Sequence, residues 1–249
     1  MSIMALSFTL IFIMITILVS LWQKLGLEKD ILIGTIRSAV QLLIMGYVLQ
    51  FIFDTEHPLF LVLIPFIMIS VASWNASKRA EGMSGVVWRI AVSIACTEII
   101  TMGLFIGFNI IEPIARYIIP MSGMIIGNSM IVSGLFLNHM KREVDASRGE
   151  IEALLSLGAT ARQAIHASLK RSVKASMIPT IDSMKTVGLV QLPGMMTGMI
   201  VAGASPVEAV RYQILIMFSI TSAAAVTSIM LSQLCYRLWF TKDIRLRRL

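Results

Sequence analysis

The sequence predicts an all-α integral membrane protein with about seven transmembrane helices. Hydrophobic residues make up 57% of the 249 residues and charged residues only 14%, and the mean hydropathy is +0.83. A soluble domain carries about 25% charged residues. Segments of about 20 apolar residues, the length needed to cross a bilayer, recur along most of the chain. We therefore interpret residues 1–249 as a single transmembrane domain.

Seven apolar windows define the predicted spans, with one long polar interruption between the fifth and the sixth. The sixth window is short and interrupted by Gly and Pro, which indicates broken backbone beside a cavity or buried in protein. Its interruptions are Gly188, Pro193, Gly194, Gly198 and Gly203. The windows are residues 3–21, 33–53, 59–76, 90–111, 118–137, 186–204 and 212–234.

The basic residues predict the orientation of these spans. If the loop after the first span is cytoplasmic, the 21 lysines and arginines all lie on the cytoplasmic side except Arg116 and Arg211. Lys242 and Arg248 in the tail belong to this group. The positive-inside rule then places the N-terminus outside and the C-terminus inside. The net charge of +7 belongs to one membrane face and requires no nucleic-acid partner.

The polar interruption, residues 139–179, contains a predicted helical hairpin at the cytoplasmic surface. The first helix covers residues 150–157 and ends before Gly158, because glycine readily adopts the left-handed backbone found just past a helix. Thr160 and Gln163 have the spacing of a capping box and start the second helix. Apolar residues recur at helical spacing in both helices, with Arg and Lys between them.

A basic amphipathic hairpin is open to two other interpretations. Such helices bind anionic lipid at the membrane surface, so the segment is also consistent with an interfacial anchor. A DNA-reading helix-turn-helix has a similar outline, but the apolar bias and the flanking spans argue against it. Membrane lipid is therefore an expected partner and nucleic acid is not.

Several polar side chains in the spans are candidates for a transport pathway. Glu98 lies within the fourth span, where an ionisable group is costly and faces a cavity or a partner; a paired structural glutamate is the alternative. Gln41 and Asn128 bring amides into apolar surroundings and need internal hydrogen-bond partners. The interrupted sixth window makes residues 191–199 the first candidate for the pathway wall, with Gln191, Met195, Met196 and Met199.

The sequence assigns no metal ligands and no catalytic residues. The thioethers of Met195, Met196 and Met199 suit soft metal ions, but 18 methionines are scattered over most spans, which favours apolar filler. No nucleophile stands beside a base, and Gly-Lys, which a Walker A loop requires, never occurs. We expect a protein that is not itself an enzyme and has no nucleotide-binding domain or cofactor of its own.

The hairpin resembles the "EAA" loop of ABC-transporter permeases. The matching residues are Glu152-Ala153, then Gly158-Ala159 and finally Ile178-Pro179. Leu154 replaces the second alanine of that motif, and no leucine precedes Pro179. The resemblance implies a coupling helix that docks into a groove of a separate ATPase subunit, which holds ATP and Mg²⁺. It assigns that role to Glu152, Ala153, Leu157, Gly158, Ala159 and Thr160.

Further segments resemble the bacterial FetB-like permeases, iron exporters with plant aluminium-tolerance relatives. The longest run extends from Ile178 through Asp182 and Lys185 to Met196. Shorter matches cover residues 27–32, 41–49, 123–125, 127–128 and 155–160. The resemblance implies a homodimeric permease of the bacterial inner membrane that works with a separate ATPase in iron homeostasis and peroxide tolerance. It names no ligands, and the plant relatives are linked to nucleotide sugars.

These observations lead to one functional hypothesis and two competitors. The hypothesis is an ABC permease that exports iron, in which ATP-driven closure of partner subunits acts through residues 152–160 on the membrane pathway. An ABC permease for another substrate, such as a nucleotide sugar, is a variant of it. The first competitor is an ATP-independent secondary transporter that uses Glu98 as a proton relay. The second is a membrane enzyme, which the lack of a polar catalytic cluster argues against.

Overall fold

The structure, a computed structural model, describes residues 8–55, 57–80, 83, 85–241 and 243–247. The start of the first predicted span, residues 3–7, lies outside the described residues, as do Lys242 and Arg248 of the basic tail. The chain divides into two compact units, residues 1–57 and residues 58–249.

The first unit is a pair of helices that pack against each other, α1 (Leu10–Trp22) and α2 (Glu28–Thr55). The turn between them uses left-handed backbone at Lys24 and Gly26. It is closed by the Ser20 hydroxyl, which donates a 2.8 Å hydrogen bond to the Glu28 carboxylate. With 28 residues, α2 is about 42 Å long at 1.5 Å per residue, which is enough to cross a bilayer.

The second unit is a helical bundle arranged around one long helix, α5, which packs against α3, α4, α7 and α9. Helix α4 also contacts α3 and α9, and α7 contacts α9. The helices are α3 (Phe60–Ser77), α4 (Val86–Gly107), α5 (Ala115–Ala146), α6 (Arg148–Ser156), α7 (Ala161–Thr186), α8 (Gly194–Val201) and α9 (Pro206–Cys235), followed by a 3₁₀ turn, Tyr236–Trp239.

Two apolar clusters hold the two ends of this bundle. The first joins α3, α4, α5 and α9 to the α6–α7 hairpin and includes Phe136, Ile151, Ile165 and Trp239, each at most 1% exposed. The second lies at the other end, where Phe105 and Ile118 pack with residues of α9. Buried hydroxyls within the helices donate to the carbonyl four residues earlier, as Ser133 does to Ser129 over 2.7 Å. Polar residues are thereby accommodated in the apolar bundle.

The all-helical class is confirmed, and five described helices are long and apolar enough to cross a membrane: α2, α3, α4, α5 and the segment Pro206–Trp239. They correspond to the predicted second to fifth and seventh spans. The described part of the first span forms only the 13 residues of α1. The count of seven spans and their orientation therefore remain predictions.

The sixth predicted span, residues 186–204, is not one helix. Helix α7 continues through Pro179 as far as Thr186, a non-helical turn occupies residues 187–193, and the eight residues of α8 follow. The predicted interruption is therefore present, and the membrane crossing of residues 186–204 stays a prediction. Composition averaged over a window does not register where a helix ends.

Candidate functional site

The turn of the α6–α7 hairpin is a Schellman motif, as the position of Gly158 predicts. Gly158 has φ +88°, and its N–H donates to the Leu155 carbonyl over 3.0 Å. The next N–H, of Ala159, donates to the Leu154 carbonyl, also over 3.0 Å. These two bonds satisfy carbonyls that the end of α6 would otherwise leave free. The turn thus has a defined shape.

The predicted capping box at the start of α7 is confirmed. The Thr160 N–H donates to Gln163 Oε1 over 2.9 Å, and the Gln163 N–H donates to Thr160 Oγ1 over 3.4 Å. Each side chain therefore satisfies a backbone donor of the other residue. The Schellman motif and the capping box together fix both sides of the four-residue connection between the helices.

One face of the hairpin is fastened to the bundle and the other is open. Ile151 and Ile165 are fully buried in the first apolar cluster. Arg171 adds a polar connection, donating to Glu143 over 2.6 Å and to Ser147 over 2.9 Å. The six predicted coupling residues lie on the open side: Glu152, Ala153, Leu157, Gly158 and Thr160 are exposed and Ala159 is half-buried.

The C-terminal turn, which we define as the described residues 240, 241 and 243–247, packs beside the hairpin, a contact that sequence reasoning missed. Phe240 and Leu246 form an antiparallel bridge, and the Arg247 N–H donates to the Trp239 carbonyl over 2.9 Å. Arg148 of α6 donates to the Arg247 carbonyl over 2.8 Å. The signal that could have revealed this contact is the apolar pair Trp239-Phe240 within a basic tail.

A groove of about 920 Å³ separates the hairpin from the C-terminal turn. Arg148, Glu152 and Gly158 line one side, and Asp243, Ile244 and Arg245 line the other. A second cleft of about 430 Å³ lies between Ile244 and the start of α7, where it is lined by Arg162 and Arg237. The surface is concave, carries charges of both signs and is positive in balance.

Ile244 stands between these two clefts in an unfavourable backbone conformation. Its φ is +58°, a left-handed value that is rare for a β-branched side chain, and the residue is 52% exposed. Strain of this kind persists where the surroundings impose it and is concentrated at functional sites. Leu157, in the hairpin turn between the groove-lining residues Ser156 and Gly158, is 85% exposed. The open surface therefore presents two apolar side chains.

Inside the bundle, Glu98 is the buried ionisable group that the sequence singled out. It is 5% exposed, and among the described residues neither of its carboxylate oxygens has a hydrogen-bond partner. Ser122 of α5 lies beside the carboxyl, and its hydroxyl also makes no hydrogen bond within the described chain. A carboxyl in such a position is costly, which keeps Glu98 a candidate functional residue.

One residue earlier on α4, a chain of hydroxyls is fully satisfied. Thr97 Oγ1 lies 2.9 Å from Thr227 Oγ1 of α9, and Thr227 donates to Ser129 Oγ of α5 over 3.1 Å. Asn128 donates from Nδ2 to the Ile220 carbonyl of α9 over 3.3 Å. These contacts join three helices at their middle, so Asn128 serves the packing of α5 on α9.

The turn at residues 187–193, which we call the break, interrupts the wall predicted for the pathway. Gly188 has φ +84°, and the Thr186 carbonyl at the end of α7 accepts from the N–H groups of Leu189 and Val190 over 3.3 and 3.0 Å. Val187 and Gln191 form an isolated bridge. Leu189 and Val190 are 90% and 84% exposed. The break is ordered by its own hydrogen bonds, and two of its apolar side chains, Leu189 and Val190, are exposed.

Comparison with known proteins identifies the family. The model of the "Uncharacterised protein family (UPF0014)" matches residues 3–240. The "UPF0014 membrane protein YjkA" of Bacillus subtilis (strain 168) is 49% identical over 245 residues, which is 98% of each chain. This chain belongs to the UPF0014 family.

Two further relatives carry more descriptive names. "Protein ALUMINUM SENSITIVE 3" of Arabidopsis thaliana is 39% identical over 96% of this chain and 87% of its own length. The "Probable iron export permease protein FetB" of Escherichia coli (strain K12) is 39% identical over 95% of this chain and 91% of its own. No solved structure matches the chain. The resemblance to FetB-like permeases is thereby confirmed, and UPF0014 chains are membrane proteins.

In this UPF0014 chain the predicted pathway residues lie in different parts of the two units. In the second unit Glu98 is buried and Asn128 is half-buried, and Gln41 is an exposed residue of the first unit. Gln191 is exposed on the break. Met195 packs against the second apolar cluster. Met196 lines a cleft of about 300 Å³ and Met199 is half-buried.

Gln213 of α9 is a residue that sequence reasoning missed. It is 8% exposed, it lines the same cleft behind the break as Met184 and Met196, and its Oε1 has no hydrogen-bond partner among the described residues. An amide within the apolar seventh window was the available signal. Among the described residues of this UPF0014 chain, no three His, Cys, Asp or Glu side chains are grouped as a metal site would require.

Proposed function

We propose that this chain is the membrane-spanning permease subunit of an ATP-driven transporter. Two copies work with separate ATPase subunits, which hold ATP and Mg²⁺, and the chain itself catalyses no reaction. The observation that carries the proposal is the α6–α7 hairpin, which is held in the bundle by Ile151 and Ile165 and presents its turn on the open side. A rigid, exposed hairpin of this kind can transmit a displacement to the helices that it contacts.

The docking surface in this proposal consists of the hairpin turn and the C-terminal turn together. Glu152 and Gly158 contribute one rim, with the exposed Leu157 next to it in the chain, and Ile244 contributes the other. A groove of about 920 Å³ suits a protruding element of a folded partner better than a bilayer, which presents a flat surface. The apolar ends of Leu157 and Ile244 would supply anchors, and the surrounding charges would fix the register of the partner.

Movement of the hairpin reaches the membrane through α7. This helix continues without interruption from the capping box at Thr160 to the break, and it packs along α5 and α9. A partner that binds the hairpin differently with and without ATP would therefore shift the position of the break. Transport of this kind requires such a difference in binding between two conformations.

Iron is the cargo that the relatives favour, since the name of the Escherichia coli chain describes an iron export permease. Under this proposal the protein lies in the bacterial inner membrane, with the hairpin and the C-terminus in the cytoplasm as the basic residues predict. Export would lower cytoplasmic iron and contribute to peroxide resistance. A nucleotide sugar is the second candidate cargo.

A second candidate function is supported by Glu98. Its carboxyl is buried and has no hydrogen-bond partner among the described residues, which suits a proton relay in an ATP-independent transporter. That mechanism would operate without the hairpin binding any partner.

Flux measurements distinguish the two functions. In inside-out vesicles containing the chain and its ATPase, we expect iron(II) uptake that requires ATP and stops when the ATPase is omitted. Uptake that continues without ATPase, depends on a proton gradient and is lost in Glu98→Gln would establish the second function instead. Vesicles carrying Thr35→Val, whose hydroxyl donates only a local bond within α2, control for insertion.

A further inference from the structure

The cleft of about 300 Å³ that Met196 lines lies within the second unit, between α9 and the segment that joins α7 to α8. Met184 in the last turn of α7 and Met196 in the first turn of α8 line one side. Gln213 and Met217 of α9 line the other side. A volume of about 300 Å³ is at the lower end of the range found for ligand sites in proteins.

Three sulfur-bearing side chains from three helices meet at this cleft. On α9, Gln213, Met217 and Thr221 are spaced four residues apart, so they lie on one face of the helix. Thr221 donates to the Met184 sulfur over 3.6 Å, which places that sulfur against the same face. Met217 is 9% exposed, and Met196 of α8 is half-buried. The ends of α7 and α8 therefore each bring a thioether to the polar face of α9.

This grouping differs from the one that the sequence suggests. Met195, Met196 and Met199 are close in the chain, but Met195 packs against the second apolar cluster and Met199 is not part of the cleft lining. Methionine that serves as apolar filler is enclosed by its neighbours, as Met140 is at 0% exposed in the first apolar cluster. The methionines of the cleft border open space instead, which leaves room for a ligand beside them.

The amide of Gln213 is the polar group that points to the kind of ligand. It is 8% exposed, and its Oε1 has no hydrogen-bond partner among the described residues. Buried polar atoms nearly always have a partner, and a bound ion is one way to supply it. An amide oxygen and thioether sulfurs are all electron-pair donors, and thioethers select soft ions such as copper(I) and silver(I). The donor set of the cleft therefore matches a soft cation.

We propose that the cleft binds a soft monovalent metal ion through the sulfurs of Met184, Met196 and Met217 and through Gln213 Oε1. These ligands are neutral, and charge is costly in an apolar lining, so a single positive charge suits the cleft better than two. The ligands stand on both sides of the break, so a bound ion would hold the ends of α7 and α8 together on α9. The inference goes beyond the permease role and is independent of ATP, because binding requires only this chain.

Silver(I) titration of the purified chain in detergent, followed by NMR of isotope-labelled methionine methyl groups, tests this proposal. Cys96→Ala and Cys235→Ala first remove the thiols that would compete for the ion. In this background we expect three methyl resonances to move together with the first equivalent of silver(I), while the others stay in place. That result reports on the cleft without any change to its lining.

Leucine variants identify the three resonances, because leucine keeps the volume and apolar character of methionine without the sulfur. Met184→Leu, Met196→Leu and Met217→Leu are each expected to remove one of the three and to weaken silver(I) binding about tenfold. Met140→Leu is the matched control, since Met140 is buried in the first apolar cluster away from the cleft, and it is expected to bind silver(I) as the background does.

Three results would overturn the proposal. Unchanged silver(I) affinity in both Met196→Leu and Met217→Leu would mean that these methionines are apolar filler. Parallel movement of methyl resonances throughout the chain would mean an adventitious ion only. Movement of the same three resonances with an excess of Mg²⁺ would mean that the cleft does not select soft ions. The titration involves no ATPase and no flux, so its failure is distinct from a failure of the proposed function.

Discussion

Gly158 shows how one residue fixes the shape of the exposed hairpin. Its φ of +88° lies in the left-handed region, and no described atom would contact an added Cβ within 4 Å. Substitution would therefore act through backbone strain and not through a steric clash. This separates the conformational role of the glycine from any role in packing.

Gly158→Ala is expected to destabilise the protein by about 1 kcal/mol, because an L-residue pays that order of energy for left-handed backbone. Gly149→Ala, inside α6 and equally open, is the matched control and is expected to be neutral or slightly stabilising. Thermal unfolding midpoints in the same detergent measure both. Shifts of the same sign and size would contradict the conformational account.

Adjacent residues on α4 illustrate two outcomes for polar groups in an apolar bundle. Thr97 is paired through Thr227 to Ser129, whereas in the described part of the chain Glu98 and its neighbour Ser122 make no side-chain hydrogen bond. The sequence predicted Glu98 as a buried polar group because its charge stands out among apolar residues. The hydroxyl chain was not predictable, since it depends on the register of three helices.

The C-terminal turn adds a second wall to the proposed docking surface. Without it, the hairpin would be an isolated amphipathic segment that could equally well lie on lipid. With it, the hairpin becomes one wall of a groove whose other wall includes a strained isoleucine. The strain at Ile244 is imposed by the bridge between Phe240 and Leu246 on either side of it.

Ile244→Gly is expected to keep or raise stability, because glycine relieves the left-handed strain, yet to weaken ATPase binding about tenfold, equal to about 1.4 kcal/mol. Ile244→Met keeps an apolar anchor and should bind nearly as well as wild type. Titration of the ATPase onto detergent-solubilised variants gives the affinities. Equal binding by the glycine variant and wild type would remove Ile244 from the docking surface.

Local signals were sufficient to predict the hairpin, whereas the end of α7 at Thr186 was not predicted. Gly158 and the Thr160–Gln163 pair act within a few residues of each other, so their geometry follows from sequence. The end of α7 was not predictable from Pro179, because that proline is tolerated inside the helix. The break at residues 187–193 depends on Gly188 and on the hydrogen bonds that the Thr186 carbonyl accepts. The mean hydropathy of a window carries no signal of either feature.

The molecule as a whole is consistent with a protein that couples an event outside the membrane, the binding of a partner to the hairpin, to a pathway inside the membrane. The exposed hairpin and the break are opposite ends of the same helix, α7, whose 26 residues span about 39 Å at 1.5 Å per residue. A helix packed along α5 and α9 is stiff enough to move as a unit. Such a movement would then act on two places inside the membrane, the buried Glu98 and the open break.

Binding of a separate ATPase to the hairpin is therefore the decisive property. The measurement is co-purification of the chain with its co-expressed ATPase, together with ATPase activity, for wild type, Glu152→Arg and Glu150→Arg. Glu152 lines the groove and pairs with Arg148 over 3.2 Å, whereas Glu150 lies on the same helix and is absent from the lining of the groove.

We expect wild type and Glu150→Arg to retain the ATPase, and Glu152→Arg to lose it while remaining inserted and folded. The reason is that the substitution replaces an acid of the groove by a base next to Arg148. If no ATPase binds wild type, or if Glu152→Arg retains full binding and coupled activity, the hairpin is not the coupling element and the Glu98 transporter becomes the better account.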